Sequence, residues 1–247
     1  MFPFRDHNPS TRWPFVTWAL IAANVAVWLW GLSTYGSGDG QGYLYFEYGL
    51  IPARFWAGQD AGGLFTSMFF HAGVMHLAGN MLFLFIFGDN LEDEMGHLPF
   101  LAFYIAAGVL SALAQALSEP SSTVPMVGAS GAIAGVMGGY LLLFPKARVD
   151  VLLVLIIYFR VIPVPAWIML GLWFALQLGG GFTQVGGAGG TAYWAHAGGF
   201  IAGFALTLPL WLRLGGTRFW DRTHGHPPHP EARYDRIDTR IPRVRRK

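Results

Sequence analysis

The sequence predicts an all-α membrane protein, a bundle of six transmembrane helices with both chain ends in the cytoplasm. Three observations carry this reading. Of 247 residues, 53% are hydrophobic and only 12% charged, and the mean hydropathy is positive, a balance too apolar for a water-soluble domain of this length. Apolar runs recur along the chain at a length that crosses a hydrocarbon core of ~30 Å, which takes roughly 17–25 helical residues. Of the 16 Lys and Arg, only Arg54 falls in a segment that six spans would place outside; the rest lie in the two tails and around Pro145–Val161, as the positive-inside rule requires. The absence of cysteine excludes disulfides, thiolate metal sites and a cysteine nucleophile.

The chain divides into a short cytoplasmic N-terminal segment (1–12), a six-helix membrane domain (13–212) and a basic cytoplasmic tail (213–247). The first span, Trp13–Leu32, carries Trp13, Trp28 and Trp30 near its ends as interfacial anchors. Further apolar runs follow it, without a small-residue cleavage site, so no removable signal peptide is expected. Ser33–Gly63, rich in Gly and aromatic residues and without a long periodic run, reads as a structured loop in the headgroup region.

The second span, Leu64–Gly88, holds His71, His76 and Asn80 in its first half. Polar groups in such a segment are costly and point to function; His71 reads as capping or wetting the helix start. An acidic turn follows (Asp89, Glu92, Asp93, Glu94), where His97 reads as solvated and inert. The third span runs from about Leu98 to Leu117. The fourth, Gly128 to about Phe144, ends at Pro145-Lys146-Ala147-Arg148.

Val149–Val161 is apolar and β-branched but is closed by Arg160, Pro163 and Pro165, and reads as an interfacial or extended connector. The fifth span runs from about Ile162 to Leu178. Gly179–Thr191, glycine-rich and uncharged, is a candidate lid, and Tyr193–Leu212 is the sixth span. The tail carries ten Lys and Arg among four acids. It reads as disordered and solvated, with attraction to anionic lipid and no motif for nucleic acid. His224, His226 and His229, beside Pro227 and Pro228, lack a fourth ligand, so no metal and no cofactor are expected.

Spans two, four and six start at the same outer face, and each has its polar residues in its first half: His76 and Asn80, Ser130, and His196. All four can therefore meet at one depth. His76 and Asn80, four apart, share a helix face. Gly131, Gly135 and Gly139 on span four, and Gly199 and Gly203 on span six, give small-xxx-small faces that permit close helix contact, and Gly128, two residues before Ser130, reads as a further packing glycine. Such contact would bring His196 to Ser130. A serine hydroxyl requires a base within hydrogen-bond reach, and His196 is the candidate. His76, Asn80 and the Ser130 backbone N–H are suitably typed donors for an oxyanion. The only acid between Ser130 and His196 is Asp150, at the cytoplasmic face, so a Ser/His dyad is expected rather than a triad. The elbow motif of soluble hydrolases fails too, because Ala132 stands where its last glycine should be.

Each feature has a plainer reading when taken alone. A serine in a Gly/Ala-rich helix is more often a packing residue, and His76 with Asn80 is as readily an interhelical hydrogen-bonding pair. Together, H-x-x-x-N (His76, Asn80), G-x-S-G (Gly128, Ser130, Gly131) and A-H-x-x-G-x-x-x-G (Ala195, His196, Gly199, Gly203) resemble the rhomboid family of intramembrane serine proteases. The resemblance covers nearly the whole membrane region and implies a rhomboid-like six-helix bundle. It implies a serine endopeptidase hydrolysing peptide bonds in or near transmembrane segments of membrane proteins. Ser130 would be the nucleophile, His196 the base and acid, and His76, Asn80 and Ser130 N–H the oxyanion hole.

Two departures from the family pattern stand out. Some members carry an aromatic residue four positions after the serine, packed on the catalytic imidazole; here that position is Ala134. A Trp-Arg pair in the first outer loop is likewise absent, with Gly62 and Gly63 at about that place. The competing reading is a non-proteolytic rhomboid-like client-binding protein or a transporter, though no paired halves with matching broken helices are seen. The location expected is a multi-pass place in a plasma membrane, of a prokaryotic kind given the absent cysteines and short extramembrane parts.

Overall fold

Among the described residues, five helices are long and apolar enough to cross a membrane, and a sixth apolar helix, shorter than these, lies among them. The structure is a computed structural model that describes residues 2–8, 10–36, 39–155, 158–183 and 190–228. The long helices are α1 (Phe15–Tyr35), α5 (Val74–Met95), α6 (His97–Ser118), α8 (Ala166–Thr183) and α9 (Tyr193–Arg213), and the short one is α7 (Ser130–Leu143). At 1.5 Å per residue α7 is only about 21 Å long. It needs no match to the bilayer thickness, because nearly all of its side chains are buried by its neighbours rather than by lipid.

The packing around α7 follows from its glycines. A Cβ on Gly199 would run into the Gly131 carbonyl, and one on Gly203 into the Gly135 backbone. One on Gly139 would lie 2.6 Å from Thr207 Oγ1. The contacts step down both helices four residues at a time in one register, so α7 and α9 run parallel with backbones touching. The Thr207 hydroxyl is satisfied inside its own helix, by Gly203 O at 2.8 Å. On the other side Gly135 meets Ala107 of α6, and Phe87, Tyr104 and Tyr140 fill the centre of the core.

Several segments differ from the sequence reading. The loop after the first span is largely helical, with α2 (Asp39–Tyr48), α3 (Pro52–Trp56) and α4 (Gly63–Thr66), then a 3-10 turn at Ser67–Phe69. These elements are too short for apolar periodicity to reveal them. The second span continues to Met95, because the acidic residues form its last turns rather than a loop. His97 is part-exposed but not inert: its Nδ1 lies 2.6 Å from Glu92 Oε1. Glu92 is 1% exposed and accepts hydrogen bonds from Val16 N, Thr17 N and Thr17 Oγ1, each at 2.8 Å. It caps α1 from another helix, where the local cap residue, Pro14, offers no side-chain hydrogen bond.

The N-terminal segment and the connector are not separate pieces. Phe2–Asp6 forms β1, Arg148–Leu155 forms β2 and Tyr158–Pro165 forms β3, in one antiparallel sheet of order β1-β2-β3. Val149 and Val151 point into the core. Asp150, facing the other way, receives Arg5 Nε at 2.6 Å and lies 2.8 Å from His7 Nε2. Burial raises the Asp150 pKa, but the hydrogen bonds and charges of His7 and Arg5 outweigh it and hold the carboxyl below the ordinary range. Pro163 and Pro165 are tolerated because β3 is an edge strand, and they delay the fifth span to Ala166.

Asp6 sits beside this sheet, and burial and the neighbouring Asp89 raise its pKa to about 8. A last short helix, α10 (Thr217–Thr223), returns to the same end, where Trp220 Nε1 donates to Leu142 O at 2.9 Å and Lys146 N to Gly225 O at 2.9 Å. The first segment of the tail is thus folded onto the bundle. Both described chain ends lie at the end of the bundle that carries the sheet. Residues 184–189 of the glycine-rich loop and 229–247 of the tail, including His229, lie outside the described residues. The part of that loop up to Thr183 is still α8.

Candidate active site

Helices α5, α7 and α9 begin at the end of the bundle opposite the sheet, around a cavity of about 680 Å³. Ser130 is the first residue of α7 and His196 the fourth of α9. His196 Nε2 lies 2.7 Å from Ser130 Oγ. This is hydrogen-bond distance for a hydroxyl donating to an imidazole. The backbones are close enough for it because Gly131, one residue after Ser130, and Gly199, three after His196, touch with no side chain between them.

The turn of α9 that holds His196 is pinned by α6. Ser111 Oγ donates to Ala195 O at 2.8 Å, and Ala195 N donates to Gln115 Oε1 at 3.2 Å. The far side of the imidazole is also occupied. Nδ1 lies 2.8 Å from Gln177 Oε1 on α8, and the Trp173 ring, one turn earlier on α8, lies 5.7 Å from the imidazole centroid at 34°. Neither residue was expected from the sequence. A polar side chain inside an apolar span is the signal that could have found Gln177, and its spacing of four from Trp173 puts both on one helix face.

His76 faces the same point from α5. Ala72 N donates to its Nδ1 at 3.3 Å, which leaves Nε2 as the protonated nitrogen. A Cβ at Gly128 would lie 2.9 Å from His76 Nε2 and 3.5 Å from Ser130 Oγ, so Nε2–H and the serine hydroxyl converge there. Gly128 is therefore not a helix-packing residue, as the sequence reading has it. It precedes α7, with φ at +132°, and leaves room for His76 where any side chain would be strained and obstructive.

Asn80 also lines the cavity, but its Nδ2 donates to His76 O, one turn back on its own helix, at 3.0 Å. One of the two amide hydrogens of Asn80 is thus engaged with its own helix, and the other is left to the cavity. The N–H groups of the first turn of α7, including that of Ser130, lack intrahelical acceptors by geometry and face the cavity. His71 is buried behind His76, edge-on to it with centroids 5.1 Å apart, and its Nε2 accepts from Ala129 N at 3.4 Å. It braces the loop just before Ser130. Asp150 lies in the sheet at the other end of the bundle, held by Arg5 and His7. Among the described residues no three His, Cys, Asp or Glu cluster as metal ligands would.

The chain is similar to several known proteins. The chain is 31% identical over 196 residues to Rhomboid protein 1, mitochondrial, of Saccharomyces cerevisiae, which covers 76% of this chain and 51% of that protein. It is 34% identical over 155 residues to Rhomboid protease GluP of Bacillus subtilis, 62% of this chain and 27% of that protein. It is 32% identical over 159 residues to RHOMBOID-like protein 5 of Arabidopsis thaliana, 61% of this chain and 44% of that protein. The chain spans about half the length of the curated relatives it matches first. Residues 55–213, from α3 through the last residue of α9, match the family model of the Rhomboid domain, and the chain is a multi-pass membrane protein belonging to the rhomboid family.

Proposed function

We propose that this protein is an intramembrane serine endopeptidase that cleaves transmembrane proteins with a Ser130/His196 dyad. The observation that carries the reading is the 2.7 Å hydrogen bond between Ser130 Oγ and His196 Nε2 at the floor of a cavity. Ser130 Oγ attacks the scissile carbonyl carbon as His196 Nε2 takes its proton. The negative charge that develops on the carbonyl oxygen is met by His76 Nε2–H and the Ser130 backbone N–H. As the tetrahedral intermediate collapses, the imidazolium gives its proton to the departing amine. A water molecule then attacks the acyl-enzyme, its proton going to His196, and the carboxylic acid product leaves as Ser130 recovers its proton.

In the membrane, the chain spans six times on this reading, with α7 as the short central helix and both chain ends in the cytoplasm. The cavity opens to the opposite side, where Gly190 and Thr191 are among its lining residues. Substrates reach the cavity from the bilayer, and the basic tail adds attraction to anionic lipid. The membrane is the plasma membrane of a prokaryotic cell, supported by the absence of cysteine. Purified protein in detergent should cleave a transmembrane substrate, and a fluorophosphonate probe should label Ser130. Ser130→Ala and His196→Ala should both abolish cleavage while melting like the parent. Undiminished cleavage by either variant would overturn the dyad. A parent protein that binds membrane clients without cleaving them or taking up the probe would be a non-proteolytic relative.

A further inference from the structure

We propose that Gln177 is the positioning residue that holds His196 in its catalytic tautomer, in the place an acidic side chain occupies in a Ser/His/acid triad. The inference rests on the dyad of the preceding subsection and extends it to a third residue on α8.

Gln177 Nε2 lies 3.2 Å from Trp173 O. A backbone carbonyl can only accept, so this nitrogen is the donor and the amide cannot be turned round without setting two oxygens against each other. Gln177 Oε1 is thereby the atom that faces His196 Nδ1, at 2.8 Å. An amide oxygen can only accept, so Nδ1 carries the proton. Neutral imidazole holds one proton, and Nε2 is left with its lone pair toward Ser130 Oγ. One backbone carbonyl on α8 thus dictates, through one side chain, which nitrogen of His196 acts as the base.

The ring is also fixed in plane and place. Trp173 lies beside it, with ring centroids 5.7 Å apart. Gly181 lets α8 sit flat against the Trp194 indole, where a Cβ would come within 3.0 Å of the ring, so α8 is held against the turn of α9 that bears His196. Gln177 is itself buried, which protects the hydrogen bond from competing water. The neutral amide differs from a carboxylate in one respect. It orients the imidazole but does not stabilise the imidazolium by a full charge, as a triad aspartate does.

The test uses full-length protein in detergent, with kcat, KM, pH profile and fluorophosphonate labelling measured for Gln177→Leu and Gln177→Glu. Leucine keeps the volume and removes the hydrogen bond. It should lower kcat and the labelling rate about tenfold, with KM little changed. Glutamate places an anion at Nδ1–H and should move the acid limb of the kcat profile upward by about one pH unit or more. The other titratable groups lining the cavity, His76 of α5 and Glu119 at the end of α6, are the same in all variants. A residue that only packs could lower activity but would not move that limb.

Should Gln177→Leu fail to fold, the limb of Gln177→Glu decides. A parent labelled normally at Ser130, with unchanged kcat in Gln177→Leu or an unmoved limb in Gln177→Glu, overturns the role of Gln177 and leaves the dyad standing. A parent that is not labelled at Ser130, or a His196→Ala variant that still cleaves, overturns both.

Discussion

Replacing Gly199 by alanine adds one methyl group and should inactivate the protein. The added Cβ would run into the Gly131 carbonyl oxygen, would lie 3.0 Å from Gly131 C and would lie 3.2 Å from Ser111 Cβ. Two of these are backbone atoms of α7, which cannot turn aside as a side chain end can. Carbon atoms pack best at about 3.5–4.0 Å, so α9 must withdraw from α7 by roughly 1 Å. The wedge sits beside Ser130 and less than one turn from His196. A shift of that size would stretch the 2.7 Å Ser130–His196 contact to about 3.7 Å, beyond hydrogen-bond range.

Misplacement on that scale costs about 10²-fold in rate, while overpacking costs about 1–3 kcal/mol of stability. Cleavage of a transmembrane substrate and the rate of fluorophosphonate labelling should both fall, and the melting temperature should drop. Gly171→Ala on α8 is the control. Nothing lies within 4 Å of its added Cβ, and a glycine in a helix interior with room for a Cβ gains about 0.5–1 kcal/mol on becoming alanine. A Gly199→Ala protein with parental labelling and melting would refute the claim that bare backbone contact sets the dyad distance.

Three further outcomes follow from contacts elsewhere. His76→Ala should lower kcat about 10²–10³-fold, as loss of an oxyanion donor does, whereas Asn80→Ala, whose Nδ2 has one of its two hydrogens held by His76 O, should cost less than about tenfold; equal losses in the two would contradict this ranking. Glu92→Ala should destabilise the protein by about 3 kcal/mol in detergent melts, since it orphans Val16 N–H and Thr17 N–H at the start of α1, and a negligible change would show that α1 needs no such cap. Asp6 has its pKa raised to about 8 against about 4 in an unfolded chain, so between those values the native state binds more protons. Its contribution is complete below about pH 4 and is lost as pH rises through about 8. Asp6→Asn should flatten that part of the pH–stability curve, and an unchanged slope would assign the decline to other groups.

The juxtaposition of Ser130 and His196 is legible because membrane sequences carry direction as well as composition. Loop charges orient the spans, and orientation alone put His76, Asn80, Ser130 and His196 at one depth. The sheet was not legible. Val149–Val161 is apolar apart from Asp150, Tyr158 and Arg160 and shows no sustained alternation; Val149 and Val151 face the core, while Asp150 meets Arg5 and His7 from a segment more than 140 residues away. Glu92 read as part of a charged turn because its partners, Val16 and Thr17, belong to another helix. Gln177 was passed over as one amide in an apolar run, though its spacing from Trp173 was available.

What the sequence determined by itself was the membrane character, the approximate spans and the residue types brought to one end of the bundle. These depend on local hydropathy, helical periodicity and the distribution of charge. Only the tertiary structure decided that Gly131 lies on Gly199, that Gly128 yields to His76, that Asn80 turns back to its own helix and that Gln177 faces His196 Nδ1. Small residues permit close approach without specifying which helix approaches, at what rotation or in what register. Those are set by the simultaneous packing of all the helices, and a shift of roughly 1 Å in any of them would lose the hydrogen bond on which the site depends.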